Sequence, residues 1–540
     1  MPTKKINIIP QDLDDFDNWR TDGFAYAGRF CYQHRLISPD PIKYFLGLGW
    51  AIKRDTKWEL LTQSEEPKLT QYIMDSVNAF ETDVKVQKLA IERSMQGVTS
   101  KEELNKLQKQ YDFFDSLKLP SRSARLVRDI KALAGGSIDL QVEAKNVDRV
   151  DPDEPVTMYT INTPNGLIDL RNGKHVDTPQ DMYITKCTAV SPSITPNSNK
   201  WDETVNAILP DPEVRHYVHK LIGMCLLPKK TDDLFVVFVG SGGNGKTTFL
   251  NTISTALGPD YVSNVTSKSI MDSYRNMTGG GVATPDVADL RGKRLALLSE
   301  TKENDYFDTG IIKLLSGGGR IRARFLKKNP IEFDASHQFI CDSNSVPRIK
   351  NVADLAFKSR LVIVPFTQTF DRHNNTLKAE LTKKEILQDV LKWAITGAQM
   401  YIEEGLESGD KLPQAIKKAL GDYYEENDYM HQYILDRCVQ DPNQCVMLKD
   451  LYRDFVDWYR YDYGGTNPPG SRSMRKPLEA QVCLLQKQDE YGGYNYVRDG
   501  SAKPYRIGTK NTNKGVVVIG VRLKTVDELN VTIKKKIPEK

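Results

Sequence analysis

Apolar residues recur at a helical spacing through Leu104, Leu107, Tyr111 and Phe114, and Ser100 to Glu103 (SKEE) sets a capping box in front of them. A helix is predicted there, stopped by Pro120. The first 130 or so residues read the same way, mainly helical with short strands. From Met158 to Thr178 (MYTINTPNGLIDLRNGKHVDT) the pattern changes: two turn signals, Pro164-Asn165-Gly166 and Asn172-Gly173, bracket the strand-like Leu167 to Leu170. Residues 201–228 return to a helical pattern that ends at Pro228. From about 231 to 370 short apolar runs alternate with helical segments, the rhythm of an α/β nucleotide-binding domain. A helical stretch is predicted over about 380–436. The last hundred residues open with the helix-like MLKDLYRDFVDWYRY, pass through a second helix predicted over 472–487, and finish in strands such as GVVVIGVRL.

Composition narrows the class. A chain of 540 residues has room for three or four domains. It is 39% hydrophobic and 27% charged, with no apolar run near the length of a membrane span, so no membrane partner is expected. The opening MPTKKINIIPQDLDDFDNW lacks the apolar core of a signal peptide, which makes the cytoplasm of a host cell the expected compartment. The seven cysteines (31, 187, 225, 341, 438, 445 and 483) are scattered and form no C-x-x-C pair, so buried thiols are expected rather than a disulfide framework or a zinc ribbon. The net charge of +4 is too small to indicate a polyanionic partner, but its distribution is uneven. Ten Lys or Arg stand against three acids from Lys503 to Lys540, and Arg320 to Lys328 (RIRARFLKK) holds five basic residues and no acid. Charge runs are usually solvated faces, so neither segment decides anything alone.

The chemistry is carried by residues 235–250, FVVFVGSGGNGKTTFL. Phe235 to Val239 is an apolar run suited to a buried parallel strand, and Thr248 to Ala256 reads as a helix. Between them Gly240, Ser241, Gly242, Gly243, Asn244, Gly245, Lys246 and Thr247 fit G-x-x-x-x-G-K-S/T in the strand–loop–helix setting that motif needs. Glycines let the backbone wrap a polyphosphate with its amides turned inward, and the helix N-terminus adds partial positive charge. These residues, with Thr248, are expected to hold ATP; Lys246 would reach the β- and γ-phosphates and the Thr247 hydroxyl would ligate Mg2+. Three further residues follow in order. Glu300 ends the apolar run KRLALLSE and could hold Mg2+ or orient the attacking water. Asn344 ends another, HQFICDSN, and could hydrogen-bond the γ-phosphate or that water. Arg360 precedes a third, LVIVPF, where it could stabilise charge on the transferring phosphoryl group. Between Glu300 and Asn344, Ile321, Ala323 and Phe325 alternate with Arg322 and Arg324; Lys327-Lys328-Asn329-Pro330 makes a turn, and Ile331 and Phe333 resume the alternation. A β-hairpin with a basic tip is predicted.

The phosphate loop, the strand ending at Glu300, the basic hairpin, the strand ending at Asn344 and Arg360 together resemble the superfamily 3 helicases, and most of all the helicase portion of phage, plasmid and poxvirus primase-helicases. INTPNGLIDLRNGK is similar to the domain that precedes the helicase there, so the likeness spans roughly residues 20–525. The resemblance implies a multidomain α/β protein in four parts. These are a helical and mixed N-terminal domain (1–198), an AAA+ P-loop core with a parallel sheet (199–375), a helical segment (376–440) and a C-terminal winged helix with a basic tail (441–540). It implies a homo-hexameric ring with ATP and Mg2+ between subunits. Lys246, Thr247, Glu300 and Asn344 would belong to one subunit, and Arg360, with Lys313 as a second candidate, would reach in from the next. Lys327 and Lys328, with Arg322 and Arg324, would grip single-stranded DNA in the channel. Arg472, Arg475 and Lys476 of the winged helix would meet origin double-stranded DNA. A separate primase or initiator is a further partner in such systems. Two departures matter. Ser299 stands where many relatives carry a second acid, and residues 1–150 hold no acid pair with a suitable histidine for a primase, Asp12 and Asp14 lying in an acidic leader. Beside the helicase reading stand an origin-binding AAA+ initiator that does not unwind, and a small-molecule P-loop kinase. Strand displacement separates the first two, and DNA-stimulated ATPase separates both from the kinase.

Overall fold

A computed structural model describes residues 23–36, 42–117, 123–138, 140–179, 182–229, 232–266, 285–299, 306–324, 331–349, 354–370, 375–461, 468–483, 486–488, 494–496 and 504–529. Pro120, Glu300, Phe325, Lys327 and Lys328 lie outside the described residues.

The N-terminal part packs α1 (Gly23–Leu36), α2 (Glu66–Met95), α3 (Lys101–Ser116) and α4 (Ala124–Gly135) against a small sheet of β1 (Ile42–Phe45), β2 (Gly49–Arg54), β3 (Lys57–Leu60) and β4 (Gln141–Val142). Its core gathers Phe30, Ile42, Trp50, Ile73, Phe80 and Ile130. The Ser100 hydroxyl accepts from the Glu103 N–H, the cap that the SKEE sequence predicts. After the short α5 (Pro155–Met158), β5 (Thr160–Thr163), β6 (Gly166–Asp169) and β7 (Lys174–Val176) form an antiparallel meander turning at the two predicted positions.

Where one helical stretch was expected over 201–228 there are two helices, α6 (Lys200–Ile208) and α7 (Pro212–Met224). The break is written in Leu209-Pro210-Asp211-Pro212. Proline cannot continue a helix but suits the first position of the next, and the Asp211 carboxylate caps the Glu213 and Val214 N–H groups. Next come β8 (Phe235–Val239), α8 (Lys246–Leu257), β9 (Val262–Thr266), α9 (Pro285–Asp289), β10 (Leu295–Ser299) and α10 (Thr309–Ser316). The hairpin β11 (Arg320–Ala323) and β12 (Ile331–Asp334) follows, then β13 (Gln338–Ser343), α11 (Leu355–Lys358) and β14 (Leu361–Pro365). Strands β14-β8-β13-β10-β9 form one parallel sheet in that order. Both faces are covered. Val236 and Phe238 enter a core with Trp201, Phe249 and Val390, while Phe235 and Val237 enter another with Phe307 and Phe339. That is why β8 reads as a continuous apolar run rather than an alternating one.

The chain continues through α12 (Asn375–Leu381), α13 (Lys384–Glu404), α14 (Gln414–Asn427) and α15 (Tyr429–Arg437). Helix α13 lies directly on α7: a Cβ at Gly223 would stand 2.0 Å from the Ala398 nitrogen, and one at Gly397 would stand 2.2 Å from the His219 carbonyl oxygen. Two backbones meet there because neither carries a side chain. The last part holds β15 (Cys438–Met447), α16 (Leu448–Tyr461), α17 (Ser471–Ala480) and the strands β16 (Val482–Cys483), β17 (Gln486–Gln488), β18 (Tyr494–Tyr496), β19 (Tyr505–Arg506), β20 (Gly508–Thr512) and β21 (Gly515–Leu523). Helix α17 ends seven residues short of the expected 487, because Val482 and Cys483 leave it to pair with Arg506 and Tyr505. Tyr433, Phe455 and Trp458 centre this last core. The molecule is a multidomain α/β protein built round a parallel sheet.

Candidate nucleotide site and basic surfaces

The phosphate loop turns from β8 into α8 with Gly242, Gly243 and Gly245 at φ +94°, +69° and +83°, a left-handed conformation that glycine adopts without strain. Space excludes other residues as well. A Cβ on Gly240 would lie 2.6 Å from the Phe366 carbonyl oxygen, and one on Gly245 would lie 2.7 Å from Ile208. The loop is tied to the segment after β14 at two points. The buried Asn244 donates through Nδ2 to the Gln368 carbonyl (2.6 Å), and the Phe370 N–H donates to the Gly243 carbonyl (2.8 Å).

Helix α8 begins at Lys246, two residues earlier than the sequence suggests. Lys246 is only 4% exposed, and its Nζ donates to the Gly240 carbonyl at 2.9 Å. Burial pulls the pKa of this ammonium below the usual lysine range, against the Asp342 carboxylate, which acts the other way from 3.9 Å. Asp342 also accepts from the Thr247 hydroxyl at 2.6 Å. Sequence reasoning did not single out this aspartate. A signal was present, since Asp342 and Asn344 are two apart and share a side of the chain, while Cys341 and Ser343 between and before them are buried. Asp342 and Asn344 line one cavity of about 750 Å³ together with Gly242, Gly243, Asn244, Gly245, Lys246, Thr247 and Thr248. Ser241 is exposed at the loop. The donor set fits a polyphosphate and a hard divalent cation: a glycine cradle, a buried ammonium with unused N–H donors, and a hydroxyl touching a carboxylate.

Arg360 and Lys313 sit elsewhere. Arg360 precedes β14 and forks to Asp233 (2.8 Å) and the Ala356 carbonyl (2.7 Å), while Lys313 pairs with Asp354 at 2.8 Å. Asp233 precedes β8 and the loop follows it, so Arg360 stands at the opposite end of the parallel strands from Lys246.

The hairpin pairs Arg320↔Asp334, Ile321↔Phe333, Arg322↔Glu332 and Ala323↔Ile331. Ile321, Ala323 and Phe333 face the core, and Arg322 stands exposed 3.9 Å from Glu332. Arg324 is described at the root of the tip, and Lys327 and Lys328 lie outside the described residues. On α17, Arg472 and Lys476 are exposed. Arg475 is instead tied down, its Nε 2.6 Å from the Thr509 hydroxyl and 3.2 Å from Glu479. No disulfide forms among the described residues, and no helix among them is long and apolar enough to cross a membrane.

Two family descriptions match the chain: "D5 N terminal like" over residues 33–210, and "Family of unknown function (DUF5906)" over residues 238–360, which spans the loop, the hairpin and Arg360. Among curated proteins the chain is 28% identical over 350 residues to a "Putative helicase" of Acanthamoeba polyphaga mimivirus, covering 61% of this chain and 36% of that one. It is 24% identical over 297 residues to a "Putative helicase" of Frog virus 3 (52% and 29% covered). It is also 21% identical over 273 residues to a "Putative primase" of African swine fever virus (47% and 27%). The chain resembles helicases of the viral primase-helicase type. It spans about a third of the length of these relatives. Among solved structures, the apo C terminal region of NrS-1 aligns with a TM-score of 0.44 at 11% identity, covering 91% of this chain and 98% of that one.

Proposed function

We propose that the chain is an ATP-driven DNA helicase of a virus, phage or other mobile element, working as a homo-hexameric AAA+ ring on single-stranded DNA. The observation that carries this reading is the phosphate loop with Asp342 closed onto Thr247, in one molecule with a basic hairpin inserted between β10 and β13. Likeness to proteins named as helicases and primases of large DNA viruses supports the same reading.

In this mechanism the loop amides and Lys246 hold the β- and γ-phosphates, and the low exposure of Lys246 keeps its charge unscreened. Thr247 and Asp342, with Glu300, would hold Mg2+, which when bound neutralises charge on the phosphate oxygens. Glu300 orients the attacking water and Asn344 hydrogen-bonds the γ-phosphate. Arg360, with Lys313 as an alternative, completes the site of a neighbouring subunit. The hairpin, through Arg322, Arg324, Lys327 and Lys328, holds the strand by its phosphates. We assign the C-terminal part to a winged helix in which Arg472 and Lys476 face duplex DNA and Arg475 braces α17 on β20.

The test is DNA-stimulated ATPase together with strand displacement on a forked substrate. Lys246→Ala is expected to remove ATP hydrolysis while the fold survives, and residual turnover above about a tenth of wild type would sink the assignment. Glu300→Gln should still bind nucleotide but not turn it over. Replacing Lys327 and Lys328 with Ala should remove DNA stimulation and unwinding. A wild type that hydrolyses ATP in response to DNA yet never displaces a strand would favour an initiator.

A further inference from the structure

A second cavity, of about 580 Å³, opens between the N-terminal part and the foot of the basic hairpin. Asp148, Asn162 and Lys186 line it together with Tyr261, Arg291 and Arg294, and Lys229 and residues of β12 complete the lining. Tyr261 and Arg294 immediately precede β9 and β10, so the cavity lies at the end of the sheet away from the phosphate loop.

Arg294 is the unusual group. Its half-buried guanidinium lies 5.5 Å over the Tyr261 ring and makes no ion pair within 4 Å among the described residues; burial pulls its pKa below the usual arginine range against Tyr261 and Asp148, and Nε is buried without a hydrogen-bond partner. A charge taken out of water is costly unless an opposite charge or full hydrogen bonding meets it. Asn162, 2% exposed, donates through Nδ2 to the Thr56 and Lys186 carbonyls but leaves Oδ1 unpartnered.

The acids around the cavity are already engaged. Asp148 accepts from the Thr185 N–H at 2.6 Å and from its hydroxyl, while Glu332 and Asp334 face Arg322 at 3.9 Å and Arg320 at 3.6 Å. Lys145 and Arg149 are satisfied by Glu143 and Glu154, each at 2.6 Å. Four cations of the lining, Lys186, Lys229, Arg291 and Arg294, have no carboxylate within ion-pair distance among the described residues, and the Asp148 charge acts on Arg294 from farther off. Their crowding is visible at Lys293, whose ammonium is pulled down by burial and then by the charge of Lys186.

We propose that this cavity is a second phosphate site, distinct from the nucleotide loop, that takes the backbone of the single strand held by the hairpin. Arg294 receives a phosphate at the floor, Lys186, Lys229 and Arg291 flank it, and Asn162 Oδ1 accepts from a base edge. The hairpin foot as a wall, and an unfilled acceptor beside the cations, favour a nucleic-acid strand over a free nucleotide. The inference rests on the DNA-translocating reading proposed above.

The experiment is fluorescence anisotropy of a labelled oligothymidine titrated with full-length protein at several salt concentrations, with thermal melting as the check of folding. Each lost phosphate contact on a single strand makes the slope of log affinity against log salt shallower by about 0.7, so Lys186→Ala combined with Arg291→Ala should lower it by about 1.4. A folded double variant with wild-type slope and affinity overturns the cavity site and leaves the helicase reading standing. A wild type that binds no strand at all overturns both. If the double variant instead loses a second class of ATP-analogue sites while its strand slope is unchanged, the occupant is a free nucleotide and the strand proposal fails. Arg294→Met gives an independent reading. Removing a half-buried charge that has no ion pair within 4 Å should leave the melting temperature without DNA close to wild type while strand affinity falls, whereas a lower melting temperature with unchanged affinity would make Arg294 a structural residue.

Discussion

Thr247 and Asp342 illustrate how a side chain missed in the sequence can change what a site does. A threonine hydroxyl alone is a weak, neutral ligand, whereas a hydroxyl held 2.6 Å from a carboxylate is oriented and offers a second hard oxygen beside it. Losing a partner that orients a metal ligand commonly costs about 10–100-fold in metal affinity or activity. Asp342→Asn is therefore expected to raise the Mg2+ needed for half-maximal ATPase by about that factor, with nucleotide binding in the absence of metal little changed. Titrating Mg2+ against turnover checks it, and an unchanged Mg2+ curve would remove Asp342 from the site. The loop itself was legible because Gly240, Gly245, Lys246 and Thr247 each meet a backbone or charge requirement at fixed spacing between a strand and a helix. Asp342 was less so, because a lone acid in an apolar run becomes meaningful only once β13 is known to lie beside β8. Arg475 shows the reverse, since its charge suggested a DNA contact but Glu479 and Thr509 occupy it.

At the scale of elements, strands and helices followed from local pattern, and their ends from what they pack against. The break between α6 and α7 is local, a matter of prolines and an aspartate cap, whereas the early end of α17 depends on pairing with β19 some 20 residues on. The α7–α13 contact is likewise invisible in either helix alone, since a glycine in a helix gives no hint of which backbone it touches. Gly397→Ala would force the two helices apart, and overpacking of this kind costs about 3 kcal/mol. Gly421→Ala, on the open side of α14 with nothing near its Cβ, should instead stabilise by up to about 1 kcal/mol through helix propensity. Urea unfolding of the two variants compares them directly, and equal stabilities would contradict the close approach. His219 lies in the same contact. It stacks on Trp393 at 4.0 Å and its Nε2 donates to the Trp393 carbonyl at 2.7 Å. Burial pulls its pKa down to about 4 from an ordinary 6.5, with the carbonyl bond acting the other way. The folded state therefore favours the neutral ring. This contribution is complete above pH 6.5 and is lost as pH falls towards 4, amounting to about 2 kcal/mol at pH 5. Melting at pH 7 and pH 5 should show that loss in wild type and a smaller one in His219→Gln, and parallel profiles would exclude His219 as its source.

At the scale of the whole molecule, the position of Arg360 bears on how many chains a working site needs. Five residues of β8 at about 3.3 Å each separate the Arg360 end of the sheet from the phosphate loop, roughly 16 Å, which is beyond the reach of an arginine side chain. Within one subunit Arg360 cannot touch a nucleotide held by Lys246. It is either an anchor for Asp233, which it meets at 2.8 Å, or, in the ring proposed above, a finger for another copy that would have to exchange that bond for a phosphate. Leu314 (56% exposed) adjoins Lys313 and Leu355 (77% exposed) adjoins Asp354, two apolar side chains that the proposed contact would cover. A finger supplied across a boundary is worth about 10³-fold or more in turnover, so Arg360→Ala and Lys246→Ala should each be inactive alone. In the proposed ring the two defects would fall on opposite sides of one head-to-tail interface, and random mixing in equal amounts would leave about a quarter of the interfaces with both groups intact. ATPase of the mixture should therefore rise well above either variant, and it should fall again on dilution below the assembly concentration. An anchoring role predicts otherwise: the Arg360→Ala subunits would be damaged in themselves, and no proportion of Lys246→Ala partners would restore their turnover.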